Sequence, residues 1–109
     1  MAETSKVTNN FGLQPGEIEE IKAVFAAAPK IKEVKLFGSR ALGTFKNGSD
    51  IDFAIIGDNI ILDDILMLKL HLEELGMLYK FDILTLNEKT PPEITGHIAR
   101  AGVTFYSRK

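Results

Sequence analysis

The sequence predicts a single α/β domain, and three observations point to it. Apolar runs of strand length, Ile31 to Phe37, Ile51 to Ile56 and Tyr79 to Leu86, alternate with segments whose apolar residues recur at helical spacing. The second run is apolar on both faces, through Ile51, Phe53, Ala54, Ile55 and Ile56, as expected of an interior strand. With 109 residues, 45% of them hydrophobic, the chain can bury one modest core and has no room for a second domain of useful size.

Taken in order, the polar and aperiodic start marks residues 1–12 as a flexible segment ahead of a domain spanning 13–109. Pro15 is a favourable first helical residue, and Ile18, Ile21, Phe25 and Ala28 repeat at helical spacing until Pro29 interrupts them. That helix should lie on the sheet. A second long helix is predicted from about Ile60 to Leu75, with Ile61, Ile65, Leu68, Leu72 and Leu75 as its core stripe. Thr90-Pro91-Pro92-Glu93 has the form of a capping box for a final helix carrying Ile94, Ile98 and Ala101. Gly102 is placed to end that helix before the short run Val103 to Tyr106.

Composition excludes several classes. A formal net charge of −2 without a long Lys/Arg block disfavours a polynucleotide substrate, which calls for a basic patch or stripe. No apolar stretch reaches membrane-spanning length, and Met1 to Asn10 lacks the apolar segment of a signal peptide, so a cytoplasmic protein is expected. The absence of cysteine removes disulfides and thiolate metal sites, in keeping with a reducing compartment. His71 and His97 have no second His or Cys at metal-ligand spacing and are read as solvated.

The most informative local pattern is Gly38-Ser39 directly after the first strand, followed by Ser49-Asp50-Ile51-Asp52 at the head of the second. A strand sends alternate side chains to one face, so Asp50 and Asp52 can present two carboxylates to one point. Magnesium takes one or two carboxylates together with substrate phosphate oxygens, and a Gly-Ser turn can offer backbone N–H groups and a hydroxyl to a phosphate. A turn around Asn47-Gly48-Ser49 closed by Asp50 would explain that residue alone. It leaves Asp52 unexplained, since an unpartnered carboxylate within an apolar run costs several kcal/mol. Arg40 and Lys46 flank this site and could neutralise a triphosphate tail.

The residues Leu36-Phe37-Gly38-Ser39-Arg40-Ala41-Leu42-Gly43, followed by Ser49-Asp50-Ile51-Asp52-Phe53, resemble the nucleotidyltransferase superfamily and its smallest branch, the minimal nucleotidyltransferases of bacteria and archaea. The resemblance runs from the first helix to Ile98-Ala99-Arg100-Ala101-Gly102-Val103-Thr104-Phe105-Tyr106, similar to that branch's closing helix and strand. It implies a polymerase-beta-like fold, a small mixed β-sheet with helices packed on it. It also implies a third acid on a later strand, where Asp82 stands. Many relatives carry a second Arg where this chain has Leu42, so positive charge near the triphosphate is thinner here.

The activity implied is transfer of a nucleoside monophosphate, AMP from ATP, with one or two magnesium ions held by Asp50, Asp52 and Asp82. Gly38 and Ser39 would bind the β and γ phosphates, and Asp82 would complete the metal site or deprotonate the acceptor hydroxyl. Minimal nucleotidyltransferases are often paired with a small HEPN-domain protein, and some act as antitoxins that adenylylate a tyrosine of that toxic partner. Two alternatives stand beside this reading: a non-catalytic antitoxin that neutralises its partner by occlusion, and a small-molecule nucleotidyltransferase completed by a separate subunit. One feature of the long helix bears on partners. Leu66 and Leu70 fall far round from its core stripe, so either the chain covers them or they form an interface with a partner or a second copy.

Overall fold

The computed structural model describes residues 11–44 and 50–108; the expected loose start at 1–10, and Lys46 and Ser49, lie outside the described residues. The element order is α1 (Pro15–Ala26), β1 (Ile31–Phe37), a short α2 (Ser39–Leu42), β2 (Ile51–Gly57), α3 (Leu62–Glu73), β3 (Phe81–Thr85), α4 (Pro92–Ala101) and β4 (Val103–Ser107). The strands form one mixed sheet in the order β3-β2-β1-β4, with β1 antiparallel to β2 and β4 and with β2 parallel to β3. The parallel pair is possible because α3 provides the crossover from β2 to β3.

Alternation along the strands divides the sheet into two faces. Val34, Leu36, Ile51, Phe53, Ile55 and Phe81 are fully or almost fully buried on one face beneath α1 and α3, which contribute Ile21, Phe25, Leu68 and Leu72 to the same core. Aromatic rings knit that layer together, with Phe25 edge-on to Phe53 at 5.1 Å between centroids and Phe53 against Phe105 at 5.0 Å. The intervening residues Phe37, Asp52, Ala54 and Asp82 face the other way, where α4 packs on β1 and His97 meets the Phe37 ring.

Two local expectations are corrected and a third holds. Helix α3 begins at Leu62, because the Ile61 N–H is taken by Asp64 Oδ2 at 2.9 Å; Ile61 is the cap, 56% exposed, and the buried stripe runs through Leu68 and Leu72. Thr90 does not cap α4: its hydroxyl donates to the Thr85 carbonyl and accepts from the Asn87 N–H, which closes the loop after β3. Gly102 ends α4 as expected, in extended geometry. Glycine is needed there because a Cβ would sit 2.6 Å from the Ile98 carbonyl oxygen where the chain turns into β4.

Candidate active site

The site is built from the two ends of strands that meet on the α4 face of the sheet. Asp52 is the second residue of β2 and Asp82 the second residue of β3, and the parallel register sets them directly opposite one another. Phe37, the last residue of β1, is the antiparallel partner of Asp52 on its other side. Asp50 precedes β2 by one residue and is exposed, while the Ile51 N–H between the two acids is fixed to the Lys80 carbonyl at 2.8 Å. Backbone pairing therefore holds the Asp52–Asp82 relationship, independent of side-chain choice.

Burial pushes the Asp52 carboxyl above its ordinary value, and the neighbouring charges of Asp82 and Asp50, with a hydrogen bond to Asp82, push it the same way. A carboxyl in that position binds either a proton or a cation.

Gly38 and Ser39 make the turn from β1 into α2 immediately beside Asp52. Gly38 has φ 79° and ψ −157°, a conformation essentially confined to glycine, and a Cβ there would collide with the Asp52 carboxylate. The turn thus packs against the acid with no room for a side chain at Gly38. Its hydrogen bonds continue into α2 and out of it, from Leu42 N–H to the Gly38 carbonyl at 3.1 Å and from Thr44 N–H to the Ser39 carbonyl at 3.0 Å.

Arg40, expected beside the phosphates, is a buried residue of the turn. It is 3% exposed, and its guanidinium is turned inward, donating through Nη1 to the Phe11 carbonyl at 2.7 Å and lying over the Tyr79 ring at 4.9 Å. Sequence reasoning missed Tyr79 and Phe11 as parts of this surround; the only available signal was that a lone arginine within an apolar turn needs partners somewhere. Leu66 and Leu70 lie away from the acids on α3, 54% and 46% exposed, so the described residues leave them uncovered. His71 is exposed and sits 3.3 Å from Glu74, whereas His97 is partly buried against Phe37 on the acids' own face.

The donor set suits a hard divalent cation. Among the described residues no three acidic or imidazole side chains close a complete metal cage by themselves. Magnesium does not require one, since it retains open positions for substrate phosphates and needs only one or two carboxylates. A paired, partly desolvated Asp52 facing Asp82, with Asp50 close enough to add its charge, is the acid arrangement such an ion would relieve.

Comparison with known proteins agrees with this fold. The chain is similar to the protein in a toxin–antitoxin structure with AMP-PNP, at TM-score 0.69 and 21% identity over 84% of this chain and 74% of that one. It is also similar to a chain in the structure of the tri-AMPylated Shewanella oneidensis HEPN toxin in complex with MNT antitoxin, at TM-score 0.66 and 18% identity over 88% and 74% of the two chains. An MntA-HepT toxin–antitoxin structure matches at TM-score 0.65 and 18% identity over 87% and 74%. At these identities the likeness establishes a shared fold. No curated protein sequence matches the chain. The family described as Polymerase beta, Nucleotidyltransferase matches residues 19–109, nearly the whole domain, and the chain therefore belongs to the polymerase beta nucleotidyltransferase family.

Proposed function

We propose that this chain is a magnesium-dependent nucleotidyltransferase of the cytoplasm that moves AMP from ATP to a hydroxyl on a HEPN-domain partner protein, and so acts as an antitoxin. The observation that carries the reading is the register of Asp52 with Asp82 beside the Gly38 turn. The acceptor and the nucleotide are supported by what similar structures hold, AMP-PNP in one and a tri-AMPylated HEPN toxin with its MNT antitoxin in another.

In this reading Asp50 and Asp52 hold the metal, and Gly38 and Ser39 bind the β and γ phosphates. Magnesium, when bound, neutralises charge on the attacking and leaving oxygens of an in-line displacement. Asp82 accepts the proton of the acceptor hydroxyl as that oxygen bonds to the α-phosphorus; the bond from the α-phosphorus to its bridging oxygen breaks, and pyrophosphate leaves. Lys46 adds positive charge for the triphosphate. Asp82→Asn, which removes the base and keeps the shape, should still bind nucleotide while losing transfer by about 10²-fold or more. A variant that transfers AMP at the wild-type rate would refute the assignment of Asp82.

A second reading, neutralisation by occlusion, is favoured by one observation, the uncovered Leu66 and Leu70. The two separate in cells. If Asp50 and Asp52 are replaced together by Asn and the chain still fully neutralises a toxic partner, occlusion suffices and transfer is dispensable.

A further inference from the structure

We infer that Arg40 is a positioning residue: it bolts the Gly38–Ser39 turn to the segment entering β3 and to the segment preceding α1, and does not itself contact the phosphates. The inference rests on the reading of that turn as a phosphate site and adds the device that would hold it in place.

Four contacts in series make the bolt. Arg40 Nη1 donates to the Phe11 carbonyl at 2.7 Å, and the guanidinium lies over the Tyr79 ring at 4.9 Å. The Tyr79 hydroxyl donates to Glu17 Oε1 at 3.0 Å, and the same oxygen accepts the Gln14 N–H at 2.9 Å at the start of α1. Burial, reinforced by the Glu17 carboxylate, pushes the Tyr79 phenol upward, so it remains a donor. Phe11 and Gly12 both have positive φ, 58° and 77°, in the turn that presents the Phe11 carbonyl, and the adjacent Leu13 is buried at 3% exposure.

Position along the chain gives these contacts their consequence. Arg40 directly follows Ser39, and Tyr79 stands three residues before Asp82, adjacent to the Lys80 carbonyl that anchors Ile51 between Asp50 and Asp52. A contact between Arg40 and Tyr79 therefore fixes the turn relative to the acids of both β2 and β3. A planar guanidinium can stack on a ring and donate sideways at once, which a lysine ammonium cannot do. At 3% exposure the same guanidinium is poorly placed to reach a triphosphate in solvent.

The test compares the affinities for ATP and AMP, each with magnesium, by titration calorimetry on the full chain, because their ratio reports the phosphate cradle in folded protein and does not move with stability alone. Arg40→Met and Tyr79→Leu are each expected to lower the ATP/AMP affinity ratio about tenfold, with the double variant no worse than either single, as expected of residues acting through one contact. Tyr79→Phe, which keeps the ring, should restore most of the ratio lost in Tyr79→Leu. If Arg40→Met fails to fold, Tyr79→Leu and Tyr79→Phe still decide. The inference is overturned if Tyr79→Leu leaves the ratio unchanged, or if the two losses multiply in the double variant, since Arg40 would then act directly on the phosphates or not at all. A wild type with no preference for ATP over AMP overturns the phosphate reading of the turn as well, which distinguishes the two failures.

Discussion

The carboxylate of Asp52 occupies the space that a Cβ on Gly38 would need. Substitution at Gly38 therefore has two separable costs. Alanine would strain a backbone conformation reserved for glycine, at about 1–3 kcal/mol of stability. It would also displace the acid, and misplacement of a reacting group by about 1 Å can cost about 10²-fold in rate. We predict that Gly38→Ala folds with a lowered melting temperature yet loses transfer far beyond what its folded fraction explains. Retention of wild-type transfer would mean that Asp52 tolerates movement.

The raised carboxyl of Asp52 makes a pH prediction. Its ordinary value is 3.8, and in the fold it is higher because of burial and then of Asp82 and Asp50. Between those two values the folded chain binds more protons than the unfolded one, so this group's contribution is complete below 3.8 and is lost as pH rises through the folded value. Asp52→Asn should consequently melt higher than wild type at neutral pH in chelator, with the gap closing as the pH falls. The same variant should lose the magnesium-dependent stabilisation by ATP expected of wild type. Paired melts across a pH series check both; a gap of opposite sign refutes the electrostatic account of Asp52.

Legibility in the sequence followed the range of the interactions involved. Asp50 and Asp52 stood out because alternation along one strand is a local fact, and β1 spans the predicted Ile31 to Phe37 for the same reason. The partnership of Asp52 with Asp82 depends on which strands pair and in which register, which local pattern does not encode; family resemblance pointed to Asp82 instead. The surround of Arg40 was not legible, because its partners Phe11 and Tyr79 lie 29 residues before it and 39 residues beyond it. Helical period alone extended the α3 stripe to Ile61, where a backbone hydrogen bond to Asp64 had already set the boundary.

On α3, Leu66 and Leu70 lie one turn apart and outside the core, 54% and 46% exposed. Charge is cheap on an exposed surface and costs several kcal/mol when buried unpaired in an interface. Leu66→Glu combined with Leu70→Lys should leave the melting temperature of the isolated chain nearly unchanged and weaken self-association or partner binding. Light scattering after size exclusion, beside a melt, reads both. An unfolded double variant would place these leucines in the core, and unaltered assembly would make them idle surface.

Arg108 secures the end of the chain far from the acids. Its guanidinium donates to the carbonyls of Ile31 at 2.8 Å, Ala28 at 2.9 Å and Ala26 at 3.1 Å, tying the end of α1 and the turn after it to the start of β1. Arg108→Ala should destabilise the domain by about 1–3 kcal/mol while leaving the transfer rate of folded protein unchanged. Denaturant unfolding measures the first and a rate per folded molecule the second. No loss of stability would show that water replaces the arginine at no net cost.

The central claim is that the acids of β2 and β3 move AMP onto a partner protein, and intact-mass measurement of that partner tests it most directly. The chain is incubated with ATP, magnesium and the proposed HEPN-domain partner. The account predicts that the partner gains mass in whole increments of AMP, that pyrophosphate is released in equal number, and that Asp52→Asn and Asp82→Asn each slow both by about 10²-fold or more. A partner whose mass stays unchanged while it remains neutralised, or one modified equally by the Asp52→Asn chain, would contradict it.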